Sequence, residues 1–184
     1  MSDRSVGVVL AAGEGRRYGM PKALARASDG TPWCARAVDA LVAGGCEDVV
    51  VVLGALAEAA VHLVPSRAEV VLARDWDAGP SASLRAGLQA GAGAEVAVVT
   101  LVDLPELAPA AVSRVLAGAD ERTVVRAFYR GLPGHPVVVG RSHWPAFTGA
   151  RRPGEVLADL GVAGVDCTDL GGGDDVDRSL VPLR

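Results

Sequence analysis

Residues 10–22 read Leu-Ala-Ala-Gly-Glu-Gly-Arg-Arg-Tyr-Gly-Met-Pro-Lys, and these residue types suit a chain of phosphates. Gly13 and Gly15 let the main chain approach a ligand closely and turn N–H groups toward it, while Arg16, Arg17 and Lys22 add positive charge. In a chain of net charge −4, three cations in one loop point to an anion. The spacing fits neither a Walker loop nor a dinucleotide fingerprint, and the competing description is an ordinary glycine-rich turn with solvated arginines. Asp103 ends an apolar run and precedes Leu104-Pro105, where a carboxylate can hold a hard cation such as Mg²⁺ (or Mn²⁺) or cap the following helix. Ser81 and Ser83 open a helical stretch just after the turn Asp77–Pro80. Their hydroxyls, with the N–H groups of the helix start, form a site for a phosphate or another ligand oxygen, the alternative being that Ser81 is simply the N-cap. Arg85, one turn on, reaches either an anionic acceptor or solvent. His135, between Gly134 and Pro136, shapes its loop or contacts a ligand.

The elements that must position these groups alternate along the chain. Apolar runs of strand length are expected at Val6–Ala12, Asp48–Leu53, Ala68–Leu72 and Val96–Leu101. Helical patterns are expected at Trp33–Ala43, Leu56–Leu63, Ser81–Ala90 and Pro109–Ala117. Further strands are expected at Thr123–Phe128 and Val137–Val139, with Gly131–Pro136 as the loop between them. Beyond Arg141 the signals weaken: Glu155–Leu160 reads as helix, Val162–Cys167 as a short strand, and Gly171–Arg184 mostly as loop. This alternation predicts an α/β chain, one domain over residues 1–184, with a mostly parallel sheet flanked by helices on both faces. Ligands of such sheets sit beyond the carboxyl ends of the strands, which singles out Gly13–Lys22, Asp75–Ser83, Asp103–Pro105 and Gly131–Pro136.

Composition narrows the function classes. The chain is 50% hydrophobic but only 4% aromatic, a core of small aliphatics suited to a sheet covered on both faces. The acidic balance and the lack of a basic block speak against nucleic acid as a partner. Three cysteines, Cys34, Cys46 and Cys167, with no CxxC spacing, suggest neither a disulfide framework nor a zinc site. The apolar run at the start is too short for a signal-peptide core or a membrane span, so the cytoplasm is the expected compartment and no membrane partner is expected.

Residues 10–22 resemble the LAAGxxxRxGxPK loop of the molybdenum cofactor cytidylyltransferases, within the wider MobA-like nucleotidyltransferases. The resemblance continues in order with Gly79-Pro-Ser-Ala-Ser-Leu-Arg-Ala-Gly-Leu88, Asp103-Leu-Pro105 and Gly131-Leu-Pro-Gly-His-Pro136, and spans about two-thirds of the chain. It implies a Rossmann-like nucleotidyltransferase fold and transfer of CMP from CTP to the terminal phosphate of a pterin acceptor, molybdopterin or Mo-molybdopterin. In that reading Leu10, Ala11, Ala12, Gly13, Gly15 and Arg16 hold the nucleotide, and Asp75, Ser81, Ser83 and His135 complete the binding surface. Lys22, Arg17 and Asp103 serve catalysis, and a molybdoenzyme or its maturation chaperone is a candidate partner. The family also closes with an acidic segment, matched here by Asp175-Val-Asp177 without the remainder of that motif. Asp177 is the expected second metal ligand and Asp175 its alternate, the competing description being a solvated acidic tail. A sugar phosphate or another small phosphate is an alternative acceptor, which a long polar C-terminal region with a sugar-binding carboxylate would favour and this sequence lacks. A non-catalytic nucleotide- or cofactor-binding role is the third alternative, favoured by the departure of Thr148–Glu155 from the family pattern.

Overall fold

Seven strands form one sheet in the computed structural model, which describes residues 4–149 and 151–177. The strands are β1 (Ser5–Ala11), β2 (Asp48–Leu53), β3 (Glu69–Leu72), β4 (Val96–Leu101), β5 (Val124–Tyr129), β6 (Leu132–Gly140) and β7 (Ala163–Asp166). Their spatial order is β3-β2-β1-β4-β6-β5-β7, parallel throughout except for β6, which runs against both neighbours. The chain winds outward from β1 to β3 and then crosses to β4 on the other side of β1. That reversal opens a crevice between the carboxyl ends of β1 and β4, the usual ligand position in such sheets.

The central strands are near-continuous apolar runs because both of their faces are covered. On one face Val9, Val51 and Val98 pack with Val38 and Leu41 of α1 (Trp33–Ala43) and with Val112 and Val115 of α4 (Pro109–Leu116). On the other face Val8, Val52 and Val99 pack with Leu84 and Leu88 of α3 (Pro80–Ala90) and with Val156 and Leu157 of α5 (Pro153–Asp159). A short helix, α2 (Ala57–Ala60), lies between β2 and β3. No helix among the described residues is long and apolar enough to cross a membrane.

Two local expectations are corrected. Most of Gly131–Pro136 belongs to strand β6, not to a loop. Tyr129 pairs directly with Leu132, and the two residues between them, Arg130 (φ 53°) and Gly131 (φ 79°), both take left-handed conformations. This is the geometry of a tight primed hairpin turn, which here carries arginine where asparagine is the familiar residue, so the turn signal is weak in the sequence. The second correction concerns Ser81. Gly79 is the N-cap of α3 and Pro80 its first residue, and the Ser81 hydroxyl donates instead to the Arg151 carbonyl at 2.6 Å.

Candidate active site

The loop after β1 and the turn after β4 meet because β1 and β4 are adjacent and in register, Leu10 opposite Leu101. A cleft of about 450 Å³ opens there, lined by Leu10, Ala12, Gly13, Gly15, Trp76 and Ser83 among others. It is of ordinary size for a small-molecule site. A cleft of about 430 Å³ lies near the amino ends of β1 and β2, lined by Arg4, Asp48 and Arg67, and it holds none of the expected residues.

Beside the cleft three carboxylates, Asp103, Asp175 and Asp177, offer oxygens that all lie within 4.8 Å of one another. The Lys22 ammonium sits between two of them, 2.7 Å from Asp103 Oδ2 and 3.1 Å from Asp177 Oδ1. Arg17 adds a contact of 2.8 Å to Asp177 Oδ2. The Lys22 and Asp103 side chains are only 14% and 15% exposed, so this ion pair is far less screened than a surface pair. Burial alone would lower the Lys22 pKa, but the Asp103 and Asp177 carboxylates outweigh it and hold the ammonium above its ordinary range. Asp103 Oδ1 is buried and has no hydrogen-bond partner among the described residues. Such an atom is costly to leave unpaired, and with two neighbouring carboxylates it forms an all-oxygen donor set that suits a hard dication.

The acidic tail reaches this point through a specific path. Val176 N–H donates to the Asp103 carbonyl at 3.0 Å, tying the tail to the end of β4. Upstream, Gly172 (φ 75°) passes so close to the turn after β4 that a Cβ on it would lie 2.0 Å from the Glu106 carbonyl oxygen. Only glycine combines that φ with that approach. Arg36 of α1 fixes the same turn, donating to Glu106 at 2.6 Å and to the Pro105 carbonyl at 3.3 Å. Neither Arg36 nor the three-glycine stretch was singled out from the sequence. The run Gly171-Gly-Gly173 was the available signal.

The remaining expected residues divide. Ser83 is buried, and it lines the cleft together with Leu10, Ala12, Gly13, Gly15 and Arg16. Ala11 is buried at the end of β1, facing α1 and α4. Arg16 is highly exposed and bonds Glu14 at 2.6 Å. Asp75 is ion-paired with Arg85, which also donates to the Thr148 carbonyl at 3.3 Å, so this pair braces the β3–α3 connection against the middle of α3. The Ser81 hydroxyl is already engaged by Arg151. Trp76, not anticipated from the sequence, lines the cleft wall.

His135 lies on β6, where its pKa is lowered to about 4 by burial and then by the Arg126 charge, against an opposing effect of Asp175. The ring is therefore neutral in the native protein near neutral pH. Its folded pKa lies below the unfolded value of about 6.5, so its contribution to stability is full above that pH and is lost as pH falls toward 4. The expected loss is roughly 2 kcal/mol by about pH 5. Urea unfolding of the wild type and His135→Gln at about pH 7.5 and 5 checks this. An equal acid loss in both proteins would rule out His135 as its source.

Comparison with known proteins is consistent with this geometry. The MobA-like NTP transferase domain family matches residues 7–160. The nicotine blue oxidoreductase of Paenarthrobacter nicotinovorans is 36% identical, over 93% of this chain and 91% of that protein. A nucleotidyl transferase from Methanothermobacter thermautotrophicus superposes with a TM-score of 0.79 at 24% identity, covering 96% of this chain and 93% of that one. A Mycobacterium tuberculosis protein solved in complex with manganese gives a TM-score of 0.73 at 24% identity, covering 89% of this chain and 88% of that one.

Proposed function

Because this chain belongs to the MobA-like NTP transferase domain family, we propose that it transfers a nucleotidyl group from a nucleoside triphosphate to a small phosphorylated acceptor, and that the group is CMP and the acceptor the terminal phosphate of molybdopterin or Mo-molybdopterin. The observation that carries the reading is the meeting of Lys22 with Asp103 and Asp177, partners 81 and 155 residues away in sequence, beside a glycine-rich strand-end loop. A Mycobacterium tuberculosis neighbour solved in complex with manganese supports a divalent cation at this site.

The triphosphate lies on the loop from Leu10 to Lys22. Gly13 and Gly15 give the phosphates close access to main-chain N–H groups, and Arg16 and Arg17, both well exposed, swing onto the β and γ oxygens. Asp103 and Asp177, with Asp175 beside them, would hold Mg²⁺ or Mn²⁺, which would supply positive charge against the α-phosphate and the leaving pyrophosphate. Lys22 keeps its proton and balances the carboxylates, which limits repulsion between them and the incoming polyphosphate. An acceptor phosphate oxygen forms the new bond to the α-phosphorus as the bond to pyrophosphate breaks in line. The protein contributes positioning and fixed charge, and no covalent intermediate is needed. His135, neutral and partly buried, shapes the acceptor side and takes no proton.

The base preference follows from Ala12, whose methyl narrows the cleft at the end of β1. A one-ring pyrimidine fits beside it, whereas a purine favours glycine. A methyl-sized difference is worth about 1–3 kcal/mol, so kcat/KM for CTP is expected to exceed that for GTP by roughly ten- to two-hundred-fold. Ala12→Gly narrows the ratio. The measurement is pyrophosphate release from a matrix of triphosphates and acceptors, including sugar phosphates. A GTP value equal to or above that for CTP removes the cytidylyl assignment, and no release with any acceptor removes the transfer reaction.

A second reading is favoured by the 36% identical relative, whose name is that of an oxidoreductase acting on nicotine blue. Here the same loop takes the pyrophosphate of a reduced dinucleotide, and electrons pass to a planar heteroaromatic substrate in the cleft. Oxidation of reduced nicotinamide dinucleotide by such a dye, without pyrophosphate release from any triphosphate, would select this reading.

A further inference from the structure

Of the three tryptophans, two are committed to the interior. Trp33 is 4% exposed and lies 5.3 Å, centroid to centroid, from Tyr18. Trp144 is 8% exposed and its indole N–H donates to the Val139 carbonyl at 2.9 Å. Trp76 differs. It belongs to the short helical turn Trp76–Ala78 between β3 and α3, is half-buried, and lines the cleft with Leu10, Ala12, Pro80 and Ser83. No hydrogen-bond partner accompanies its indole N–H among the described residues.

The ring is also fixed. A Cβ built on Gly54 would lie 2.6 Å from Trp76 Cγ and 2.6 Å from the Ala12 carbonyl oxygen, so the tryptophan is set against the main chain at the ends of β1 and β2. Trp76 N–H donates to the Ala73 carbonyl and Gly79 N–H to the Trp76 carbonyl, at 3.2 and 3.1 Å. The ion pair between Asp75 and Arg85 ties the same turn to α3. An aromatic side chain held this firmly at the wall of a cleft, with its polar tip unpaired, is placed to receive a second flat ring at little ordering cost.

We propose that Trp76 is the stacking wall for the planar nitrogen heterocycle of the bound nucleotide. This rests on the reading that the cleft binds a nucleotide, and it adds a division of labour. Stacking tolerates any flat ring, so Trp76 supplies affinity for the base while the Ala12 side of the cleft discriminates among bases. Phosphate binding, by contrast, is independent of Trp76.

The test uses the full-length protein, CTP and GTP as ligands, and inorganic tripolyphosphate as the same charge without a ring. All three tryptophans emit, so the Trp76 signal is the difference in tryptophan fluorescence between the wild type and Trp76→Phe. Both nucleotides are expected to quench it, and tripolyphosphate is not. Trp76→Phe should abolish the quench while holding nucleotide affinity, measured by calorimetry, within a few-fold. Trp76→Ala should weaken nucleotide binding by roughly five- to a hundredfold, as for loss of one base–aromatic stack, and leave tripolyphosphate affinity unchanged. Quenching that persists in Trp76→Phe, or full nucleotide affinity in Trp76→Ala, overturns the proposal, as does failure of both nucleotides to bind. Quenching without pyrophosphate release supports the stacking wall and counts against nucleotidyl transfer, so the two ideas fail separately.

Discussion

Asp103→Ala is expected to lower divalent-metal-dependent turnover by at least about 10³-fold while the protein stays folded, since stabilisation by a bound metal is worth several kcal/mol. The fold should survive because Asp103 lies past the end of β4 and its main-chain carbonyl, which holds Val176, is kept. Loss of Mn²⁺ binding by calorimetry should accompany the loss of rate. Asp177→Ala should behave similarly, whereas Asp175→Ala alone being inactive would move the second ligand two residues upstream. Gly172→Val provides a variant with every charge intact: the tail can no longer pass the Glu106 carbonyl, so Mn²⁺ affinity and turnover fall together. Turnover near the wild-type rate in Asp103→Ala would remove the metal assignment.

Lys22→Ala is expected to lower kcat by about two to four orders of magnitude, the range for removing a preorganised charge. Its geometry adds a second expectation of opposite sign. The ammonium lies between Asp103 and Asp177, so its removal leaves the carboxylate cluster more negative, and Mn²⁺ should bind more tightly as turnover falls. Equal weakening of both would mean that the lysine merely supports local structure. Lys22 is the only lysine in the chain, the other 17 of its 18 basic residues being arginines. A compact ammonium on a flexible stem fits between two nearby carboxylates where a planar guanidinium does not, so Lys22→Arg is expected not to restore activity. Wild-type rates in Lys22→Ala would defeat the assignment.

The sequence by itself determined the parallel core and the position of the glycine-rich loop Leu10–Lys22 at the end of β1. Strands β1, β2 and β4 are legible as near-continuous apolar runs because being buried on both faces leaves no alternation of polar and apolar residues. The run Leu10–Lys22 is legible because glycines, arginines, a proline and a lysine at a strand end mark a ligand loop through local chemistry. The hairpin at Arg130-Gly131 was not legible, because its left-handed arginine is tolerated through the pairing of β5 with β6 rather than through its own preference. The relation of Asp103, Asp175 and Asp177 to Lys22 was only partly legible: a resemblance marked Asp177, but residues so far apart carry no signal of contact. Tertiary structure decided that relation, through the neighbouring positions of β1 and β4, the Arg36 clamp on the turn after β4, and a glycine stretch that brings an acidic tail back to the end of β4. It likewise gave Trp76 its place, since an isolated tryptophan in a loop reads as core or surface until Gly54 and Ala12 are seen to hold it at the wall of the cleft. Local propensity depends on neighbours along the chain, whereas a site depends on close main-chain approaches between distant segments, which packing alone creates.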